Sequence, residues 1–149
     1  MQQTARTKAP THLWIVGILS LIWNCFGGYD YTMTRTRNMD YLGSMGVDPN
    51  VVLNYIDAMP MYAQIGWGLG VWGALLGSIL LLMRSRFAVH AFALSLIGAV
   101  VSLGSQFLGP APPSEMSTGA SKYMPLVIIA LAAVQLWYAN NARKSGVLS

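Results

Sequence analysis

Between Trp23 and Asn38 the chain reads Trp-Asn-Cys-Phe-Gly-Gly-Tyr-Asp-Tyr-Thr-Met-Thr-Arg-Thr-Arg-Asn, its densest run of ligand-type side chains. On one continuous helix Asp30, Thr34, Arg37 and Tyr41 share a face, and Tyr31, Arg35 and Asn38 share the next. Asn24 projects deeper. Aromatic rings beside Asp, Asn and Arg suit hydrogen bonding to a sugar or another small polar molecule. The expected ligand set is Trp23, Asn24, Asp30, Tyr31, Thr34 and Arg37. An ionised Asp30 at the end of an apolar span needs a partner, and Arg37 or Lys122 are the candidates. The competing reading is that Asp30 and the arginines only anchor a helix end in a hydrated interface.

Other chemistry has little support. There is no nucleophile–base pair, no Gly-rich phosphate loop and no HExxH or CxxC pattern, so neither an enzyme nor a bound cofactor is expected. His12 and His90 open two helices on the same expected side. Without a neighbouring carboxylate or thiolate they make a poor metal site. The single cysteine, Cys25, can form no internal disulfide and reads as a small hydrophobe. Nine basic residues give a net charge of +4, but they are dispersed, so nucleic acid is not an expected partner.

The elements that must position these groups are four apolar runs, roughly 12–29, 61–83, 87–108 and 124–139. The second and third hold no charged residue. Only 9% of all residues are charged, against about 25% in an ordinary globular domain. Each run is about long enough to cross a ~30 Å hydrocarbon core. The expected architecture is all-α, a single transmembrane domain over 1–149 with helices about 10–36, 61–83, 87–108 and 122–141. The lipid bilayer is its first partner. The first run is expected to be a retained helix and not a cleaved signal, because Trp23-Asn24-Cys25-Phe26 lacks small residues. That helix is expected to continue beyond the membrane surface through Arg35, with Gly43 and Gly46 as the first candidate terminators. Asp48 and Pro49 then open a short amphipathic outer-loop helix that places Val52, Tyr55, Ile56 and Met59 on one face. Pro60 ends it.

Basic residues set the orientation. Arg6, Lys8, Arg84, Arg86, Arg143 and Lys144 fall on one side, and Arg35, Arg37 and Lys122 on the other, which predicts both termini in the cytoplasm. Gly66, Gly70, Gly73 and Gly77 recur at spacings of four, three and four. Ala91, Ser95, Gly98 and Ser102 repeat that spacing on the next helix. Only Arg84-Ser85-Arg86 separates the two, so an antiparallel hairpin with close backbone contact is expected. Gln64, Gln106 and Gln135 are expected to hydrogen-bond between helices.

The stretch Leu21 to Asn38, with its Asp30-Tyr31 pair, and the stretch Gly70 to Arg86, with Trp72-Gly73, resemble a family of small four-helix inner-membrane proteins of Gram-negative bacteria. Its members are often labelled "sugar transporter". The likeness covers roughly the first three helices. It implies a bacterial inner-membrane location and a transporter-like role for a sugar or other small polar solute. Four helices are too few to enclose a wide path, so transport would require a homo-oligomer. The alternative is a non-catalytic accessory subunit of a larger membrane complex.

Overall fold

A computed structural model describes residues 8–44, 46–109, 112–114 and 123–149. Its elements in order are α1 (Thr11–Arg35), α2 (Met39–Ser44), α3 (Pro49–Ala58), α4 (Met61–Leu82), α5 (Ala88–Leu108) and α6 (Met124–Lys144). Helices α1, α4, α5 and α6 are each long and apolar enough to cross a membrane. They pack in the order α1 on α4, α4 on α5 and α5 on α6. The expected all-helical, four-helix bundle is the fold found. Lys122, one of the expected partners of Asp30, lies outside the described residues.

Side-chain size is inverted relative to a water-soluble bundle. Along α4, Ile65, Leu69, Trp72, Leu76 and Ile79 are exposed, while Gly66, Gly73, Gly77 and Ser78 are buried. On α5, Ile97, Val100 and Phe107 face outward, and Ser95, Gly98, Ser102 and Ser105 face inward. Water would not tolerate so continuous an apolar exterior. Lipid does, and it leaves close packing of small residues to hold the helices together. The chain is therefore a multi-pass membrane protein.

The tightest contact is the expected one. Helices α4 and α5 approach until a β-carbon at Gly98 would lie 2.5 Å from the Gly66 carbonyl oxygen and 2.8 Å from the Gly70 nitrogen. At Gly73 it would lie 3.2 Å from the Ala91 carbonyl oxygen. The Ser95 hydroxyl donates across the seam to the Gly70 carbonyl at 2.6 Å. Helix α1 brings a matching stripe, Gly17, Ser20, Asn24 and Gly28, all buried. Its spacing of three and four was equally visible in the sequence but was masked by the polar residues among it.

Helix α1 ends at Arg35, close to the expected 36. The expectation that fails is a continuous helix carrying Tyr41 on the face of Asp30, with Gly43 and Gly46 as terminators. Arg37 turns left-handed, φ 57°, and the Asn38 and Arg37 amides donate to Met33 and Thr34 carbonyls at 3.0 and 3.1 Å. This is a Schellman stop, a geometry usually given to glycine. Arg84, φ 59°, ends α4 in the same way, with the Ser85 amide on the Leu80 carbonyl at 2.9 Å. Helix α3 forms as expected, with the Asp48 carboxylate accepting from the Asn50 amide at 2.9 Å. Val52 and Leu53 bury against Leu42 of α2, with Tyr41, Val47 and Ile56 around them.

At the opposite end, residues 145–149 fold back. The Ser149 amide donates to the Arg84 carbonyl at 3.0 Å, and Arg84 Nε donates to the Val147 carbonyl at 3.1 Å. Val147 and Leu148 thereby enter a buried cluster with Leu13, Leu81, Phe92 and Ala139.

Candidate functional site

The stop at Arg37 creates the site. Because α1 ends there, α2 and α3 turn back over its last turn, and α3 lies between the ends of α1 and α4. A groove of about 300 Å³ opens among the three. Helix α1 contributes Thr34 and Arg35, the turn that follows it Arg37, and the first turn of α4 Gln64. From α3 come Asp57 and an apolar floor of Leu53 and Ile56. Its volume lies at the lower end of the range for small-molecule pockets.

The polar groups are held by each other. Arg37 and Asp57 pair at 2.6 Å, with about half of each side chain exposed. A pair so hydrated contributes at most about 1 kcal/mol and is easily exchanged. Arg35 Nη1 donates to the Gln64 amide oxygen at 3.1 Å. The Gln64 amide nitrogen donates in turn to the Met59 carbonyl at 3.0 Å, so Gln64 is fixed at both ends. The Thr34 hydroxyl makes no hydrogen bond among the described residues and is open to the groove, since no sealed side-chain polar atom among them lacks a partner.

Asp30 does not pair with Arg37, one of its two expected partners. Arg37 is taken by Asp57, and the Tyr41 hydroxyl instead donates to Asp30 Oδ1 at 2.6 Å. Tyr41 reaches Asp30 from α2, not along a continuous helix. Burial of the phenol, and then the hydrogen bond to Asp30 and its charge, push the Tyr41 hydroxyl up to about 12. Because this value is raised, the contact stabilises fully below pH about 10 and weakens as pH rises toward 12. Thermal melts across that window should fall more steeply for the native chain than for Tyr41→Phe. Parallel curves would show that the hydroxyl does not hold Asp30.

Comparison with protein families, with curated proteins and with solved structures returned no match. The site is therefore read from its own chemistry.

The remaining candidates lie apart from the groove. Asn24 is buried midway along the bundle, where its amide nitrogen donates to the Ala74 carbonyl at 3.0 Å and to Ser78 Oγ at 2.7 Å. The Gln135 amide oxygen lies 3.4 Å away. This ties α1 to α4 and α6, as polar side chains do inside lipid. Tyr31 is enclosed edge-on by Trp67 and Trp72, with ring centroids 4.7 and 5.8 Å away. Trp23 faces outward. Of the six expected ligand residues, then, only Thr34 and Arg37 line the groove. Arg35, Asp57 and Gln64 complete it. The sequence put Gln64 among the interhelical hydrogen-bonders and Asp57 on the short helix, but only a stop at Arg37 joins them. His12 hydrogen-bonds the Tyr138 hydroxyl across α1 and α6, and His90 lies against Phe87.

Proposed function

We propose that this chain takes up a small polar solute in the groove between α1, α3 and α4, and that it acts in transport as an oligomer. The observation that carries the reading is the groove itself. It holds two arginines, a carboxylate, an amide and an unpartnered hydroxyl over an apolar floor. The family resemblance of Asp30-Tyr31 and Trp72-Gly73 points the same way, toward a sugar or a molecule of that size and polarity. The oligomer follows from the interior of one protomer. Backbone contact fills the α4–α5 seam, and the Asn24 hydrogen bonds fill the centre. In the orientation set by Arg6, Lys8, Arg84, Arg86, Arg143 and Lys144, both termini lie in the cytoplasm and the groove opens on the far side of a bacterial inner membrane.

A second reading, an accessory subunit of a larger complex, is favoured by α6. That helix is the least buried of the four spans, and Leu126, Val127, Val134 and Trp137 stand exposed on it. One experiment separates the two. Protein purified in mild detergent is sized, then reconstituted into liposomes for uptake of labelled sugars. A defined homo-oligomer with saturable uptake supports transport. A large co-purifying partner, with no uptake by the isolated chain, supports the subunit. Reporter fusions at Gly46 and Arg84 check the orientation, and a signal from the far side at Arg84 would reverse it.

A further inference from the structure

We infer that the ligand of this groove carries an oxyanion, a carboxylate or phosphate group, received by Arg35; this rests on reading the groove as a binding site. The charges in the lining do not cancel. Asp57 answers Arg37 at 2.6 Å, whereas Arg35 bonds a neutral amide oxygen, that of Gln64, at 3.1 Å. No carboxylate among the described residues pairs with Arg35. A guanidinium offers five N–H donors in a planar fork suited to carboxylate or phosphate, and Gln64 occupies one of them. Gln64 is itself tied to the Met59 carbonyl, so it holds the fork in place without neutralising it.

Thr34 is the independent observation. Its hydroxyl makes no hydrogen bond among the described residues, and no sealed side-chain polar atom among them lacks a partner, so this hydroxyl is open to the groove it lines. Arg35 and Thr34 both line the groove, so both present donors to what it holds. A neutral sugar would also satisfy Thr34. It would, however, cover the Arg35 charge without answering it, and covering an uncompensated charge is unfavourable. An anion turns that cost into a charge-assisted hydrogen bond. The Asp57 carboxylate already occupies Arg37 as such an anion would, in a pair exposed enough to open. Asp57 therefore competes with the ligand.

Two sources share this chemistry, a free solute and the headgroup of an anionic lipid. The test uses thermal shifts of the purified full chain with inorganic phosphate, gluconate or glucose at fixed ionic strength. A parallel arm compares nanodiscs of phosphatidylglycerol with nanodiscs of phosphatidylcholine. Phosphate or gluconate should raise the melting temperature saturably. Arg35→Gln should weaken that effect by about 10-fold or more, and Thr34→Val should weaken it less. Asp57→Asn should strengthen it several-fold, a gain that no folding defect can imitate. Stabilisation by phosphatidylglycerol alone, lost in Arg35→Gln, assigns the oxyanion to lipid; the inference then stands and the solute reading falls. An equal glucose shift in the native chain and Arg35→Gln keeps the solute reading and overturns the oxyanion. Anion shifts that Arg35→Gln and Asp57→Asn leave unchanged are general salt effects and also overturn it. No shift in any arm overturns both.

Discussion

Replacing Gly98 with alanine should destabilise the bundle by about 2–3 kcal/mol, the upper part of the range for overpacking a core. The added carbon would lie 2.5 Å from the Gly66 carbonyl oxygen and 2.8 Å from the Gly70 nitrogen. Both are backbone atoms in the middle of α4, so no rotamer change relieves the contact. The two helices would have to separate, and the Ser95 hydrogen bond to Gly70, now 2.6 Å, would lengthen with them. Gly73→Leu should act in the same direction, because Ala91 and Ser95 leave it only 3.2 Å. Gly27 and Gly104 supply the control, since a β-carbon at either meets nothing within 4 Å. Alanine there should be neutral or stabilising by up to about 1 kcal/mol, the helix-propensity difference. Thermal unfolding of the four variants in one detergent decides the matter. A Gly98→Ala protein that melts with the controls would show that the α4–α5 seam is not in backbone contact.

The seam was legible because its signal is compositional. Gly66, Gly70, Gly73 and Gly77 can share a stripe for few reasons other than close approach, and the matching stripe from Ala91 to Ser102 names the partner. The four spans and the short α3 were legible for a similar reason, since length, apolarity, an Asp-Pro start and a proline end are local properties. The left-handed stop that ends α1 was not. Left-handed backbone at Arg37 has no side-chain signature, and the glycines at 43 and 46 were the better candidates on propensity alone. That one dihedral changes the register of everything after it. Tyr41 ceases to extend the face of Asp30 and instead folds back to donate to it at 2.6 Å.

The same break explains what was and was not legible of the groove. A continuous helix puts Asp30 and Arg37 on one face and makes them partners. With the stop in place, Arg37 points to α3 and meets Asp57, a residue from a different element. Thr34 and Arg37 were chosen at the right end of the right helix, yet their company could not be read from spacing. Asn24 was recognised as deep, and Gln135 as an interhelical hydrogen-bonder. Inside lipid that behaviour is the default for an amide, which is why Asn24 belongs to the packing and not to the groove. The docking of Val147 and Leu148 carried no periodic signal at all, because a two-residue plug has none.

At that plug, Phe92→Ala should have the other large effect, about 3 kcal/mol of lost stability. Phe92 is 1% exposed and is the largest fully buried side chain. It shares its cluster with Leu13 of α1, Leu81 of α4, Ala139 of α6, and Val147 and Leu148. Truncating a buried Phe in a water-soluble core costs about 3–5 kcal/mol, part for transfer to water and part for the cavity. In detergent or lipid the unfolded ring stays in apolar surroundings, so the transfer part shrinks and the lower end applies. The cavity part persists, because the atoms around the ring lose their contacts. Phe92→Leu, which keeps much of the volume, should cost less than about 1.5 kcal/mol. Gly77 offers a stricter test. A β-carbon there would lie 2.8 Å from the Phe92 ring, and a ring so enclosed cannot turn away. Gly77→Ala should therefore destabilise the native chain but add little once Phe92 is Ala, so the two changes will not sum. Hydrogen exchange should rise at 145–149 in Phe92→Ala, because that segment rests on the ring's cluster. Groove affinity for phosphate or gluconate should not change, since the groove lies at the other end of the bundle. If exchange at 145–149 stays as slow as in the native chain, the Arg84 hydrogen bonds alone hold the segment, and Phe92 is not what the plug closes on.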